Sequence, residues 1–192
     1  MEQILPNLLI LGPMETPPEG TENSLKLFLA GSIDLSPNES FKWQDHFIKA
    51  MMEIVSKEPG KGIAPFNTFN WILVNPYYIP KNPVPNIMNE EYNMYKSWEL
   101  DAYGWVDGIF LNFLKRSTSP MPLLTLGYTC QSGKLVVRCP EQYYQYGLVR
   151  LITTKFGVVL MPSKVSNVLA VIQNFFSFVS GFQNITKFQL PE

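Results

Sequence analysis

Apolar and polar positions alternate along the chain in a way that predicts short buried strands separated by amphipathic helices. Apolar runs bounded by turn residues predict strands over 25–31, 70–75, 108–113, 134–138 and 158–161. Between the strands, apolar residues recur every three or four positions, which predicts helices over about 89–104, 120–131, 141–155 and 164–180. One further helix follows the first strand. Strand and helix therefore alternate five times, which predicts an α/β fold: a mainly parallel five-stranded sheet with helices on both faces, a three-layer sandwich.

The helix after the first strand has defined start and stop signals. Ser36 as N-cap, Pro37 at the first helical position and Glu39 three residues after the cap form a capping box. Pro59 and Gly60 end the helical pattern. The strand over 25–31 is thus followed by a helix long enough to cross back over the sheet.

The chain divides into an N-terminal arm, one domain and a short tail. Residues 1–24 carry no Lys or Arg and are rich in Pro, Glu, Thr and Gly from residue 12 onward, so we expect an extended arm. Neither a secretory signal nor a mitochondrial presequence is visible in it. The domain is expected over 25–186, followed by a tail over 187–192.

The last predicted helix lies in a segment without charge. Residues 165–186 contain no Asp, Glu, Lys or Arg, and their number would suffice to span a membrane. Ser, Asn and Gln recur at helical spacing in this segment and form an uncharged polar stripe. The pattern favours a packed amphipathic helix, with a membrane span as the alternative.

Composition narrows the function classes. Charged residues make up 16% of the chain, against roughly 25% in typical soluble domains, while 46% of residues are hydrophobic and 14% aromatic. The net charge of -1 argues against a nucleic-acid partner, because binding the phosphate backbone needs a basic excess. The apolar content excludes disorder for most of the chain. A surface this poor in charge suits burial against other protein subunits, in a homo-oligomer or a larger hetero-assembly.

Cysteine and histidine usage indicates neither a disulfide scaffold nor a metal site. Cys130 and Cys139 are too few and too isolated for such a scaffold, and His46 is the single histidine. We therefore expect no metal and no cofactor. Reduced thiols suggest an intracellular protein, cytoplasmic or mitochondrial.

In an open parallel sheet, ligands bind beyond the carboxyl ends of the strands, so the loops after residues 31, 75 and 113 are the candidate site, together with the helix start near 120–127. Gly31 would let a ligand approach the backbone closely, or it would serve a tight strand-to-loop turn. The candidate binding residues at these strand ends and before the following helix are Gly31, Ser32, Ile33, Asp34, Asn75, Pro76, Asn112, Phe113 and Ser119.

Carboxylates and aromatic residues supply further candidates. Glu99, next to Trp98, and Asp101 lie on the helix before the third strand, and Asp107 immediately precedes that strand. These carboxylates could serve acid/base chemistry or bind sugar hydroxyls, or they could be capping and solvated charges. The clusters Tyr77-Tyr78 and Tyr143, Tyr144, Tyr146 would stack on a base or lie at a protein interface.

The order and spacing of short motifs resembles the nucleoside 2-deoxyribosyltransferase-like family over about residues 25–150. The motifs are Leu29-Ala30-Gly31-Ser32-Ile33, Trp43-Gln44, Asn75-Pro76, Trp98-Glu99, Val106-Asp107, Ser119-Pro120, Leu123-Leu124-Thr125-Leu126-Gly127, Ser132-Gly133-Lys134-Leu135-Val136-Val137 and Cys139-Pro140-Glu141. The resemblance implies a Rossmann-like or flavodoxin-like domain, usually oligomeric, in agreement with the pattern of strands and helices.

The resemblance also implies a reaction. Family enzymes move a 2-deoxyribosyl group between nucleobases by double displacement, in which a glutamate attacks the anomeric carbon and the base leaves with a proton. A second base then attacks the glycosyl-enzyme. The resemblance assigns Asp107 a role at the base and gives the loop after the first strand a part in the base pocket.

The chain departs from the family pattern at the nucleophile. The family reads Leu-Leu-Glu-Leu-Gly where this chain has Thr125, whose hydroxyl carries no charge and is a poor nucleophile without a base. Three hypotheses follow: an accessory or structural subunit without transferase activity, an active deoxyribosyltransferase or nucleoside N-glycosidase, and a module that binds nucleosides or nucleotides as a sensor.

Overall fold

The computed structural model describes residues 7–33, 43–56, 69–77, 90–161 and 168–179, which form a sheet with helices on both sides. The strands are β1 (Leu8–Leu11), β2 (Leu25–Gly31), β3 (Trp71–Val74), β4 (Gly108–Asn112), β5 (Leu135–Arg138) and β6 (Val159–Met161). The helices are α1 (Trp43–Val55), α2 (Glu90–Trp105), α3 (Met121–Thr129), α4 (Tyr146–Phe156) and α5 (Val168–Val179).

All six strands are parallel, in the order β1-β3-β2-β4-β5-β6. Without β1, this is the doubly wound order of flavodoxin-like folds, in which the chain changes direction between β2 and β4. Connections leave these two strands in opposite directions and open a crevice at their carboxyl ends. The structure thus confirms the predicted α/β sandwich.

Alternating side chains along each strand build two separate cores. On one face, α1 and α5 pack on residues such as Leu29, Phe110 and Val136. On the other face, α2, α3 and α4 cover their sequence neighbours, among them Phe28 and Leu111. Burial on both faces explains why the central strands are continuous apolar runs.

The sheet has six strands instead of the predicted five, because residues 8–11 of the N-terminal arm form an edge strand. β1 pairs with β3 from Leu8, opposite Trp71, to Leu11, opposite Val74. The arm continues to α2, where the Glu15 carbonyl accepts a hydrogen bond of 2.9 Å from the Trp98 indole N–H. The arm was expected to precede the domain, and this part of it belongs to the fold.

The uncharged C-terminal segment contributes α5, which packs on the sheet. The Phe175 ring is fully buried and lies over Gly108, where a Cβ atom would come within 2.2 Å of the ring. Within the described part of the chain, no helix combines the length and the apolar character needed to cross a bilayer. The capping box at 36–39 lies outside the described residues.

Candidate functional site

The carboxyl ends of β2 and β4 meet at Gly31, Ser32 and Asn112, as the sequence predicted. Ser32 is fully buried, and its backbone N–H donates to the Asn112 carbonyl at 2.9 Å. Its hydroxyl accepts from the backbone N–H of Leu114, and its carbonyl accepts from the Trp43 indole N–H. Ser32 thus ties together the loop after β2, the loop after β4 and the start of α1.

The backbone packing of the sheet accounts for the presence of glycine at position 31, and no ligand is needed to explain it. Its φ of 143° is one that L side chains rarely adopt. A Cβ atom would lie 2.2 Å from the Asn112 carbonyl oxygen. Of the two interpretations of Gly31, these contacts support the tight turn at the strand end, where the backbone packs closely on β4. Ile33 is half-buried next to it, and Asp34 lies outside the described residues.

Asn75 and Pro76 stand at the carboxyl end of β3 and hold the local backbone. The Asn75 side-chain oxygen accepts from the backbone N–H of Tyr77 at 3.2 Å. The Pro76 carbonyl accepts a 2.6 Å hydrogen bond from the Tyr95 hydroxyl. The first contact orders the loop after β3, and the second joins α2 to this loop.

A cluster of polar side chains joins α2 to α3 and contains the Thr125 position. The Tyr103 hydroxyl donates to Glu99 Oε1 at 2.6 Å and lies 3.5 Å from Thr125 Oγ1. Glu99 Oε2 in turn accepts from Lys96 Nζ at 2.5 Å. We call Lys96, Glu99, Tyr103 and Thr125 the α2–α3 cluster. A single phenol oxygen separates the Glu99 carboxylate from the Thr125 hydroxyl.

Electrostatics in the α2–α3 cluster keep the phenol protonated. Burial raises the pKa of Tyr103 well above its ordinary value, and the negative charge of Glu99 raises it further. A carboxylate only accepts hydrogen bonds, so the phenol proton goes to Glu99 and its oxygen faces Thr125. Thr125, 8% exposed, therefore has a phenol beside it and no general base in hydrogen-bond contact among the described residues.

Trp98 does not face this cluster with its polar group, because its indole N–H is bonded to the arm. Its ring packs in the core with Phe28 and Tyr95, at centroid distances of 6.1 Å each. Trp98 is therefore a packing residue in the structure. Asp101, also on α2, is exposed.

Asp107 lies at the amino ends of the strands, away from the carboxyl ends where the other candidate residues meet. Its Oδ2 accepts a 2.8 Å hydrogen bond from the backbone N–H of Lys26, at the amino end of β2. Its own N–H donates to the Lys26 carbonyl at 2.9 Å. Residues that precede a parallel strand gather at the amino edge, whereas the candidate site lies at the carboxyl edge. The structure thus corrects the placement of Asp107 with the other candidate residues and gives it a role in joining β2 to β4.

Phe113 and Ser119 have structural contacts of their own. Phe113 is fully buried and its ring lies 4.9 Å from that of Tyr143, on the face opposite to Asn112. Ser119 Oγ accepts from the Met121 N–H at 3.4 Å, at the start of α3. Of the tyrosines after β5, Tyr143 is a core residue and Tyr144 is 54% exposed. Tyr78 lies outside the described residues.

A cavity of about 200 Å³ lies on the opposite face, between α1, α5 and the carboxyl ends of β4 and β5. Among the described residues of its wall, Asn112 is the one that was predicted as a site residue. Its oxygen accepts from Arg138 Nη1 at 2.9 Å, and the exposed His46 lines the cavity on the α1 side. Arg138 was not predicted as a site residue. One signal for it exists: a lone charged residue at the carboxyl end of the apolar strand β5.

The cysteines and acidic residues offer no metal site in the described ranges, where no three His, Cys, Asp or Glu side chains come together. Cys130 and Cys139 are both buried free thiols. Burial raises the pKa of Cys139 to about 12, and the nearby charge of Arg138 offsets only part of this effect. Cys139 therefore remains a protonated thiol at neutral pH.

No protein-family model matches the chain, and no curated protein matches it in sequence.

Proposed function

We propose that the chain is a nucleoside 2-deoxyribosyltransferase-like protein that lacks transferase activity and serves as an accessory or structural subunit of a larger assembly. The observation that carries the proposal is Thr125 at the position where the family pattern has its nucleophilic glutamate, hydrogen-bonded to a phenol instead of a base. The family resemblance itself rests on the ordered motifs of the sequence.

The contacts of Thr125 argue against its hydroxyl acting as the nucleophile in place of the glutamate. An alcohol needs an adjacent general base to attack, and the protonated Tyr103 cannot accept the proton. Threonine also brings no negative charge to stabilise an oxocarbenium-like transition state. Losing a nucleophile of this kind lowers the rate by roughly 10⁴- to 10⁶-fold.

The surface formed by α3 and α4 supports a subunit role. Large apolar side chains project from it: Leu124 is 65% exposed, Tyr128 62% and Leu151 70%, and Leu148 on α4 and Tyr144 just before α4 are exposed as well. We call these five residues the α3–α4 surface. α3 contains no charged residue in its first or last turn, and the solvent face of a helix ordinarily carries charge. Apolar patches of this kind mark protein–protein contacts.

Base exchange tests the loss of activity. The pure protein is incubated with a 2-deoxynucleoside and a second free base, and products are separated by chromatography. We expect neither the exchanged nucleoside nor a released base. Either product at a rate above that of a reaction without protein would overturn the proposal. Loss of that rate in the Thr125→Val variant, in which valine keeps the shape of the side chain and removes its hydroxyl, would then identify Thr125 as the nucleophile.

One observation favours an active transferase or N-glycosidase as a second candidate. The Glu99 carboxylate reaches the Thr125 position through Tyr103 and could itself attack an anomeric carbon. It is bonded to Lys96 and to the phenol, and both contacts reduce its nucleophilicity. If Glu99 is the nucleophile, base exchange is present in the unaltered protein and absent from the Glu99→Gln variant.

A further inference from the structure

The cavity between α1, α5 and the sheet lies on the face of the sheet opposite to the α2–α3 cluster. Side chains alternate along a strand, so Phe110 and Asn112 of β4 and Arg138 of β5 point toward α1 and α5. Thr125 packs on the other face with α2. A ligand in this cavity would therefore lie on the opposite face of the sheet from Thr125.

Aromatic rings form much of the cavity wall. The Trp43 ring meets the Phe110 ring edge-on at 5.6 Å, and Phe47 lies 5.4 Å from Phe110. Val168 and Val171 of α5 line it as well. Walls of this kind bind a flat apolar body by stacking and dispersion. A cavity of roughly 150 Å³ accepts benzene in another protein, so about 200 Å³ accommodates one aromatic ring with a small substituent.

The described part of the cavity wall takes its polar groups from Arg138, Asn112 and His46. None of the described lining residues is acidic, while Arg138 brings a guanidinium and His46 an imidazole. The Asn112 side-chain oxygen accepts from Arg138 Nη1, which orients the guanidinium on the cavity wall. Burial lowers the pKa of Arg138, because its guanidinium is partly removed from water. A guanidinium matches a carboxylate in shape, donating two parallel hydrogen bonds.

We propose that this cavity binds a small aromatic carboxylate, with the ring against Trp43, Phe47 and Phe110 and the carboxylate on Arg138. The site is separate from the proposed subunit role. It stands or fails on its own experiment.

Benzoate is the probe, and the full-length ¹⁵N-labelled protein is titrated with it by NMR. The Trp43 indole N–H is the reporter, because it is fixed by its bond to the Ser32 carbonyl and its ring forms the wall. We expect a saturable shift of this resonance, with a Kd in roughly the millimolar range or tighter. Benzyl alcohol, which keeps the ring without the charge, and inorganic phosphate, which keeps charge without the ring, should each bind about tenfold more weakly or worse.

Two variants and a control locate the site. Arg138→Gln should weaken benzoate about 10- to 100-fold, the loss of a charge-assisted contact. Ala50→Leu, which extends a side chain of the α1 wall into the cavity, should abolish binding while leaving Arg138 in place. Lys155→Gln removes one exposed positive charge from α4 and should leave the affinity unchanged.

Three results would overturn the proposal: no saturable shift with benzoate, equal binding of benzyl alcohol or phosphate, or full binding by the Ala50→Leu variant. Should Arg138→Gln fail to fold, the comparison of the three probes on the unaltered protein, together with Ala50→Leu, still decides.

Discussion

Thr125→Glu places a carboxyl group in the α2–α3 cluster, in the position where the family pattern has its nucleophile. The site is 8% exposed, and the Tyr103 hydroxyl within 3.5 Å of Thr125 already donates to Glu99. Thr125→Gln is the matched control, because glutamine has the same shape and no charge. The difference between the two variants therefore isolates the effect of the second carboxylate.

The expected magnitude follows from burial and like charge. Both effects raise the pKa of the introduced carboxyl above the unfolded value of about 4.3, and a shift of about two units corresponds to about 2.7 kcal/mol. At pH 7 we therefore expect Thr125→Glu to be less stable than Thr125→Gln by about 2–3 kcal/mol.

The sign of the pH dependence is fixed by the raised pKa. Between the unfolded and folded pKa values, the folded Thr125→Glu variant binds more protons than its unfolded chain, so its stability falls as pH rises through this window. Below about pH 4 both states are protonated, and the difference from Thr125→Gln disappears.

Urea unfolding at several pH values between 4 and 7, followed by tryptophan fluorescence, measures this difference. Equal stability of the two variants at pH 7, with no dependence on pH, would refute the described geometry of the cluster. In the base-exchange assay, we further expect Thr125→Glu to gain activity that Thr125→Gln lacks.

Three further predictions concern residues whose contacts the structure defines. Gly31→Ala should destabilise the fold by about 2–4 kcal/mol, because the added Cβ clashes with the β4 backbone and the positive φ is unfavourable for alanine. The control Gly104→Ala has open space around it and should be neutral or stabilising. Urea unfolding of both variants measures the difference. Asp107→Ala should cost about 1–3 kcal/mol of stability and leave benzoate binding unchanged, and a loss of binding without a loss of stability would contradict its structural role. Iodoacetamide at pH 8 should modify Cys130 and Cys139 only after denaturation, because both thiols are buried; rapid labelling of native protein, seen by mass spectrometry, would contradict this.

Hydrophobic periodicity predicted the sheet well, because each central strand is buried on both faces and stands out as an apolar run. β1 was missed for a physical reason: it is an edge strand of four residues, and its Leu-Leu-Ile-Leu pattern gains meaning only by pairing with Trp71–Val74 of β3. The sequence of a short apolar segment between prolines does not reveal whether that segment pairs with the outermost strand of a sheet.

The candidate site was predictable in part. That Gly31, Ser32 and Asn112 meet follows from the rule that parallel strands end at the same edge. The residues that define the two polar arrangements were not predicted together. Tyr103 bridges Glu99 and Thr125 across two helices, and Arg138 meets Asn112 across two strands. Such contacts depend on helix rotation and strand register, which residue spacing does not determine.

The alternation of side chains also separates residues that adjoin in sequence. Asn112 and Phe113 were expected in one pocket, but Asn112 lines the cavity beside α1, while Phe113 is buried with Tyr143 on the other face. A prediction of strand ends therefore locates the edge of the sheet and leaves the face open.

The native mass of the protein, measured in extracts of its source cell and again for a Leu124→Glu/Leu151→Glu variant expressed there, tests the subunit proposal most directly. We predict an assembly several times heavier than the chain that contains at least one other protein, and release of the variant from it, because both substitutions put charge on the α3–α4 surface. A monomer or small homo-oligomer with no other chain bound, unchanged in the variant, would contradict the proposal.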